Sequence, residues 1–194
     1  VDLDVMPDNE RTELLVQVFG WIQRRRGFLP RAAYWARLLA FPVVYHEVVT
    51  FAPSDDGEEW EVLLDGARER PADDQFYAGK LCTQGSTVMM RQSFTQLSAR
   101  HMQEESRILF GSTDDFQFCG LSVAPWTKRD HAYVVVFSRL LPRKPKAYQG
   151  IWVSVDRLAD AGVAASNRAH VDMAIAVTLR GAQPYYSEYK GVEE

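Results

Sequence analysis

Apolar residues recur along this chain with two different periods, and the switches between them divide it into elements. Leu15, Val18, Phe19 and Ile22 fall at helical spacing behind Asp8 or Asn9 as N-cap, which predicts an amphipathic helix over residues 8–26. Arg24, Arg25 and Arg26 close it, at the end where the helix dipole favours cations. Beyond Gly27 and Pro30, Tyr34, Trp35, Leu38 and Leu39 predict a second helix over residues 31–40. Pro42 ends it, because the residue before a proline is pushed out of the helical region. The period then shortens. Val43 to Phe51 is rich in β-branched and aromatic side chains, and Trp60 to Leu64 is a second apolar run. Ser54-Asp55-Asp56-Gly57 between them is turn chemistry, so the pair reads as a β-hairpin.

Residues 65–79 are polar and loop-like, and a short strand near residues 80–83 is expected to run into a loop at Gly85. Met89 and Met90 just after it read as core filling. A well-specified helix follows. Ser93 is a natural N-cap, and Gln96 three residues on completes a capping box. Side chains four apart share a helix face, so Arg100 stands beside Glu104 and His101 beside Glu105. Strands are predicted over residues 116–123 and 131–141, then a basic loop over residues 142–149. Residues 150–158 read as a strand entering a turn, residues 169–179 as a last helix, and the tail from Gly181 is polar and aromatic.

Composition narrows the class. The 194 residues suffice for one domain with a substantial core and some decoration, and 46% hydrophobic with 25% charged residues is an ordinary globular balance. No apolar run reaches the roughly 20 residues that span a bilayer. The acidic start, VDLDVMPDNE, lacks the basic-then-apolar order of a signal peptide, and its first residue, Val, fits one piece of a longer protein. A net charge of −4 argues against broad attraction to nucleic acid, which leaves the arginine triplet as a local phosphate patch or a solvated helix end. Cys82 and Cys119 have no metal-ligand spacing and lie in apolar stretches. Both read as reduced core residues, which points to a cytoplasmic, reducing compartment.

The stretch from Gly85 to Ile108, GSTVMMRQSFTQLSARHMQEESRI, resembles the signature of the Nudix family, G-x5-E-x7-R-E-U-x-E-E-x-G-U with U apolar. With Arg100 on the motif arginine, Met102, Glu104, Glu105 and Ile108 also agree, five of nine fixed positions without an insertion. Ser86 stands on the first glycine, Gln92 on the first glutamate, His101 on the glutamate after the arginine, and Arg107 on the second glycine. Gly150, Trp152 and Leu158 resemble a late G-x-W-x-x-x-x-x-L element, and His170 lies near the start of the last helix, where such domains often carry a histidine. The resemblance implies an α/β/α sandwich around a mixed sheet. It covers about residues 43–180, so residues 1–42 are expected to be a helical extension and 43–194 the Nudix-like domain.

Family members hydrolyse nucleoside diphosphates linked to another group, and the resemblance carries that chemistry to named positions. Glu104, Glu105 and Arg100 become the catalytic candidates; Gly85 through its carbonyl, Glu104, Glu105 and His101 become candidate ligands for Mg2+ or Mn2+. Three departures bear on this. His101 and Gln92 replace carboxylates, and the loop at residues 142–149 contains no acid. Imidazole suits manganese better than magnesium. Three functions therefore stay open: an atypical metal-dependent hydrolase, a module that binds ADP-ribose or another nucleotide without turnover, and an interaction domain that docks a protein partner through the N-terminal helices. Lys144 and Lys146 are candidate phosphate contacts, and Trp126 and Tyr148 candidate base-stacking rings; for each, an exposed basic loop or ordinary packing is the plain alternative.

Overall fold

A computed structural model describes residues 43–65, 79–87, 93–108, 115–124 and 132–188, with Pro7, Glu10, Glu13, Leu14 and Gln17 near the N-terminus. The chain divides between Phe41 and Pro42. Glu10, Glu13, Leu14 and Gln17 are helical; the rest of the two predicted N-terminal helices lies outside the described residues. So do Met89, Met90, Gln92 and Trp126.

Among the described residues seven strands form one mixed sheet: β1 (Val43–Pro53), β2 (Trp60–Leu64), β3 (Gln84–Thr87), β4 (Gln117–Ala124), β5 (Ala132–Leu140), β6 (Ile151–Ser154) and β7 (Tyr185–Glu188). Six of them run in the order β6-β2-β1-β5-β4-β7, and β3 pairs with β1 off that path. β1 pairs antiparallel with β2 along its later half and with β3 along its earlier half. It runs parallel to β5 from Val43 to Phe51. The predicted hairpin is present, its turn closed by Gly57 N–H bonding to Ser54 O at 2.9 Å.

Side chains alternate across β1, and each face builds its own core. Val49 and Phe51 point to one side, into a cluster with Val62, Leu64, Val134, Val136, Val171 and Met173. Val48 and Ala52 point to the other, against Leu63, Met102, Ile108, Phe116 and Phe137. One helix covers each face. α1 (Phe94–His101) continues as a wider π-helical turn, Met102–Ser106; α2 (Ala165–Ala174) does the same over Ile175–Leu179. The result is the expected three-layer sandwich. Among the described residues no helix is long and apolar enough to cross a membrane.

Three details differ from the sequence reading. Residues 81 and 82 form only isolated bridges, Leu81 with Val163 and Cys82 with Asp65, and Gly85 lies within strand β3 rather than in a loop. α2 begins four residues earlier than residue 169, without a side-chain cap to announce it. β7 is an unforeseen strand, parallel to β4. Gly120 on β4 lets the tail approach, since a Cβ there would lie 2.1 Å from the carbonyl oxygen of Tyr185.

Candidate functional site

The signature segment begins where the sequence placed it. Ser93 Oγ accepts the Gln96 N–H at 3.2 Å, and Gln96 Oε1 accepts the Ser93 N–H at 3.1 Å, so both arms of the capping box form. From that start Leu97, Ser98, His101 and Met102 turn toward the sheet and are buried. Thr50 Oγ1 on β1 donates to Met102 Sδ at 3.4 Å, and the rings of His46 and His101 lie 5.1 Å apart. The turn ends at Arg107, which has φ 57°, the left-handed conformation. That is the position of the second glycine in the motif it resembles. Arginine occupies a backbone geometry that glycine adopts without steric cost.

Arg100, His101 and Glu105 form one hydrogen-bonded chain. Arg100 Nη2 lies 3.3 Å from His101 Nε2, and His101 Nδ1 lies 3.4 Å from Glu105 Oε1. A guanidinium only donates, so Nε2 accepts and the ring proton sits on Nδ1, pointed at the carboxylate. Glu105 is drawn in with the histidine, its side chain 13% exposed. Glu104 points elsewhere: its side chain is 61% exposed, and one oxygen lies 3.9 Å from Arg100 Nε.

β3 runs alongside α1 and the π-helical turn, so Gly85 and the two glutamates belong to neighbouring elements. A Cβ on Gly85 would sit 2.3 Å from the carbonyl oxygen of His46 and 2.8 Å from the Glu47 carboxylate. The Glu47 carboxylate accepts a hydrogen bond from Thr83 Oγ1, which in turn accepts one from Asn167 Nδ2 at 2.6 Å. This chain ties β1 and the residue just before β3 to α2, on the sheet face opposite α1. It was missed from sequence. The available signal was the pair His46-Glu47 inside a mostly apolar strand, one residue polar toward each face.

Among the described residues no three His, Cys, Asp or Glu side chains are grouped to hold an ion. Both ring nitrogens of His101 lie within hydrogen-bonding distance of a neighbouring side chain, Nε2 of Arg100 and Nδ1 of Glu105. His170 is not near this chemistry either. It is a core residue on α2, and burial pushes its pKa down to about 4.

The basic loop divides its labour. Lys144 is 17% exposed and sits between Glu61 and Asp55 of the first hairpin, with Asp55 Oδ1 at 3.2 Å. The hydrogen bond from its ammonium to Glu61 holds its pKa above the ordinary lysine value. Lys144 is thus a structural tie rather than a phosphate contact, while Lys146 stays exposed. At the loop's far end Gln149 N–H donates to Ser106 O at 2.8 Å, joining it to the end of the π-helical turn. Cys119 is buried, its thiol 3.1 Å from Ser138 Oγ, and burial raises its pKa; neither cysteine forms a disulfide.

No protein-family model and no curated protein matches the sequence. Solved structures do. A mutT/nudix family protein from Listeria innocua superposes with a TM-score of 0.57 at 14% identity, covering 74% of this chain and 97% of that one. The NUDIX domain of Shewanella oneidensis NrtR, complexed with ADP ribose, gives 0.55 at 14% identity, covering 75% and 97%. This chain has a Nudix-like fold. A C. elegans Ap4A hydrolase in a binary complex matches similarly, with a TM-score of 0.53, 16% identity, and coverage of 72% and 99%. The chain spans about half, 51%, of a MutT/nudix family protein from Enterococcus faecalis. Within the Nudix-like fold, the described residues of the segment Gly85–Ile108 fall in or beside strand β3, helix α1 and the π-helical turn, with His101 where α1 passes into that turn.

Proposed function

We propose that this Nudix-like domain binds a nucleoside diphosphate derivative of the ADP-ribose type, around the end of the signature helix, without metal-dependent hydrolysis. The Arg100–His101–Glu105 chain carries the reading. Where the motif has a carboxylate, His101 supplies a donor to Glu105 and an acceptor to Arg100. The histidine thereby takes up the carboxylate and the guanidinium that would otherwise serve a cation. With Glu104 facing solvent, the charged motif positions that are kept are one arginine and two glutamates, a net charge of −1 over Arg100, Glu104 and Glu105. A hard divalent cation is held by several converging oxygen ligands, and a single carboxylate already committed to a histidine is a poor start for one. The neighbours support the ligand class: the NrtR domain was crystallised with ADP ribose, and the C. elegans protein is an Ap4A hydrolase.

Glu104, Glu105, Arg100 and the Gly85 carbonyl remain the group through which turnover would operate, since β3 runs beside the turn that carries both acids. Melting curves with ADP-ribose, in EDTA and again in Mn2+, separate the two. A ligand at about 100 times its Kd stabilises the fold by about 2.7 kcal/mol, and the expected shift is the same in both conditions. Mononucleotide release that needs Mn2+ and disappears in Glu105→Gln would replace binding with hydrolysis.

A further inference from the structure

Next to the signature segment, the loop over residues 142–150 is fixed at three points. Lys144 is held by Asp55 and Glu61, Gln149 N–H by Ser106 O, and Gly150 at φ 118° passes so close to β2 that a Cβ would lie 2.7 Å from Leu64 O. Pro142 and Pro145 stiffen what lies between. Such a loop presents its side chains with little ordering left to do on binding. What it presents is Tyr148, 42% exposed, its ring 5.8 Å from that of Trp152 at 74°. Trp152 is itself packed against the core cluster that contains Met102 and Leu63, so the tyrosine rests on a rigid support.

Two cations lie next to these anchors along the chain. Arg107 follows Ser106 directly, and Lys146 is two residues before Tyr148; both are exposed. Among the described residues neither has an ion pair, in contrast to Lys144, Arg100, Arg139 and Arg168. A single exposed aromatic is ordinary on a protein surface. An exposed aromatic on an anchored loop, flanked by unpaired cations, is complementary to a ligand that is both flat and anionic. We infer that Tyr148, braced by Trp152, stacks on the base of a nucleoside phosphate whose phosphate oxygens are held by Arg107 and Lys146. This rests on the nucleotide-binding reading and adds the residues that select for a base. Base stacking on an aromatic side chain tolerates any base, because every base has a π face. The arginine and lysine contribute charge-assisted hydrogen bonds to phosphate.

Titration of the full chain with AMP, ADP-ribose and ribose 5-phosphate tests it. AMP and ADP-ribose are expected to bind at least tenfold more tightly than ribose 5-phosphate. Tyr148→Ala and Tyr148→Leu are expected to erase that preference, the leucine keeping bulk against Trp152 while removing the π face; Tyr148→Phe is expected to retain it. Arg107→Ala and Lys146→Ala should weaken all three ligands. If the nucleotides bind but both Tyr148 variants keep the tenfold preference with unchanged melting temperatures, the stacking role falls and nucleotide binding stands. If the unaltered protein binds none of the three, both fall.

Discussion

Arg100 Nη2 lies 3.3 Å from His101 Nε2, and that contact fixes which nitrogen of the ring carries the proton. Nitrogen-15 NMR of the imidazole reads the tautomer directly. The expected pattern is protonated Nδ1 and bare Nε2, with Nδ1–H pointed at Glu105; a ring protonated at Nε2 would contradict the hydrogen-bonded chain. Arg100→Ala is expected to release the preference and mix the two tautomers.

Arg107 combines a strained backbone with an exposed charge. A left-handed φ of 57° costs a residue with a Cβ about 1–2 kcal/mol, partly returned in the unfolded chain when glycine replaces it. Arg107→Gly is therefore expected to stabilise the fold by up to about 1 kcal/mol in urea unfolding while weakening AMP binding. A destabilised variant would show that the guanidinium is needed for packing.

His170 makes stability depend on pH. Burial holds its pKa at about 4, below the ordinary 6.5, so the unfolded chain takes up a proton in the window between those values while the fold excludes it. Stability is fully present above that window and falls as pH drops through it, by about 3 kcal/mol at the bottom. In His170→Leu, urea midpoints at the two ends of the window are expected to differ by correspondingly less than in the unaltered protein. An unchanged difference would assign the dependence to other groups.

Gly85→Ala is expected to destabilise by about 1–3 kcal/mol, because the added Cβ meets a backbone oxygen of His46 that cannot move without disturbing the β1–β3 pairing. Thermal unfolding measures it. A neutral effect would show that β3 can shift away from β1.

Lys144→Met leaves Glu61 half-buried without its cation, at an expected cost of about 1–2 kcal/mol. The loop loses one anchor with it, so the preference of AMP over ribose 5-phosphate should shrink, although residue 144 touches no ligand. Retained preference in a destabilised variant would show that Gln149 and Gly150 alone position Tyr148.

Local chemistry made much of this fold legible. The hairpin turn at Asp55-Asp56-Gly57, the capping box at Ser93 and Gln96, and the alternation along Val43–Phe51 each specify structure within a few residues. β7 was not legible because its pairing with β4 is parallel and long-range, decided by the fit of the tail against Gly120 rather than by the pattern of Tyr185-Tyr186-Ser187-Glu188. Helical spacing placed His101 beside Glu105 correctly, but it does not orient a ring, so the double engagement of the imidazole required coordinates. The same holds for Lys144. A basic loop reads as a phosphate contact until the hairpin acids that face it are known.

We propose that His101 occupies Arg100 and Glu105 in place of a metal. Electron paramagnetic resonance of free Mn2+, titrated with the unaltered protein and with His101→Glu, addresses it most directly. The expected result is little binding by the former and at least a tenfold gain in affinity for the latter, as a third carboxylate joins Glu104 and Glu105. Tight Mn2+ binding by the unaltered protein, lost in Glu105→Gln, would contradict the claim.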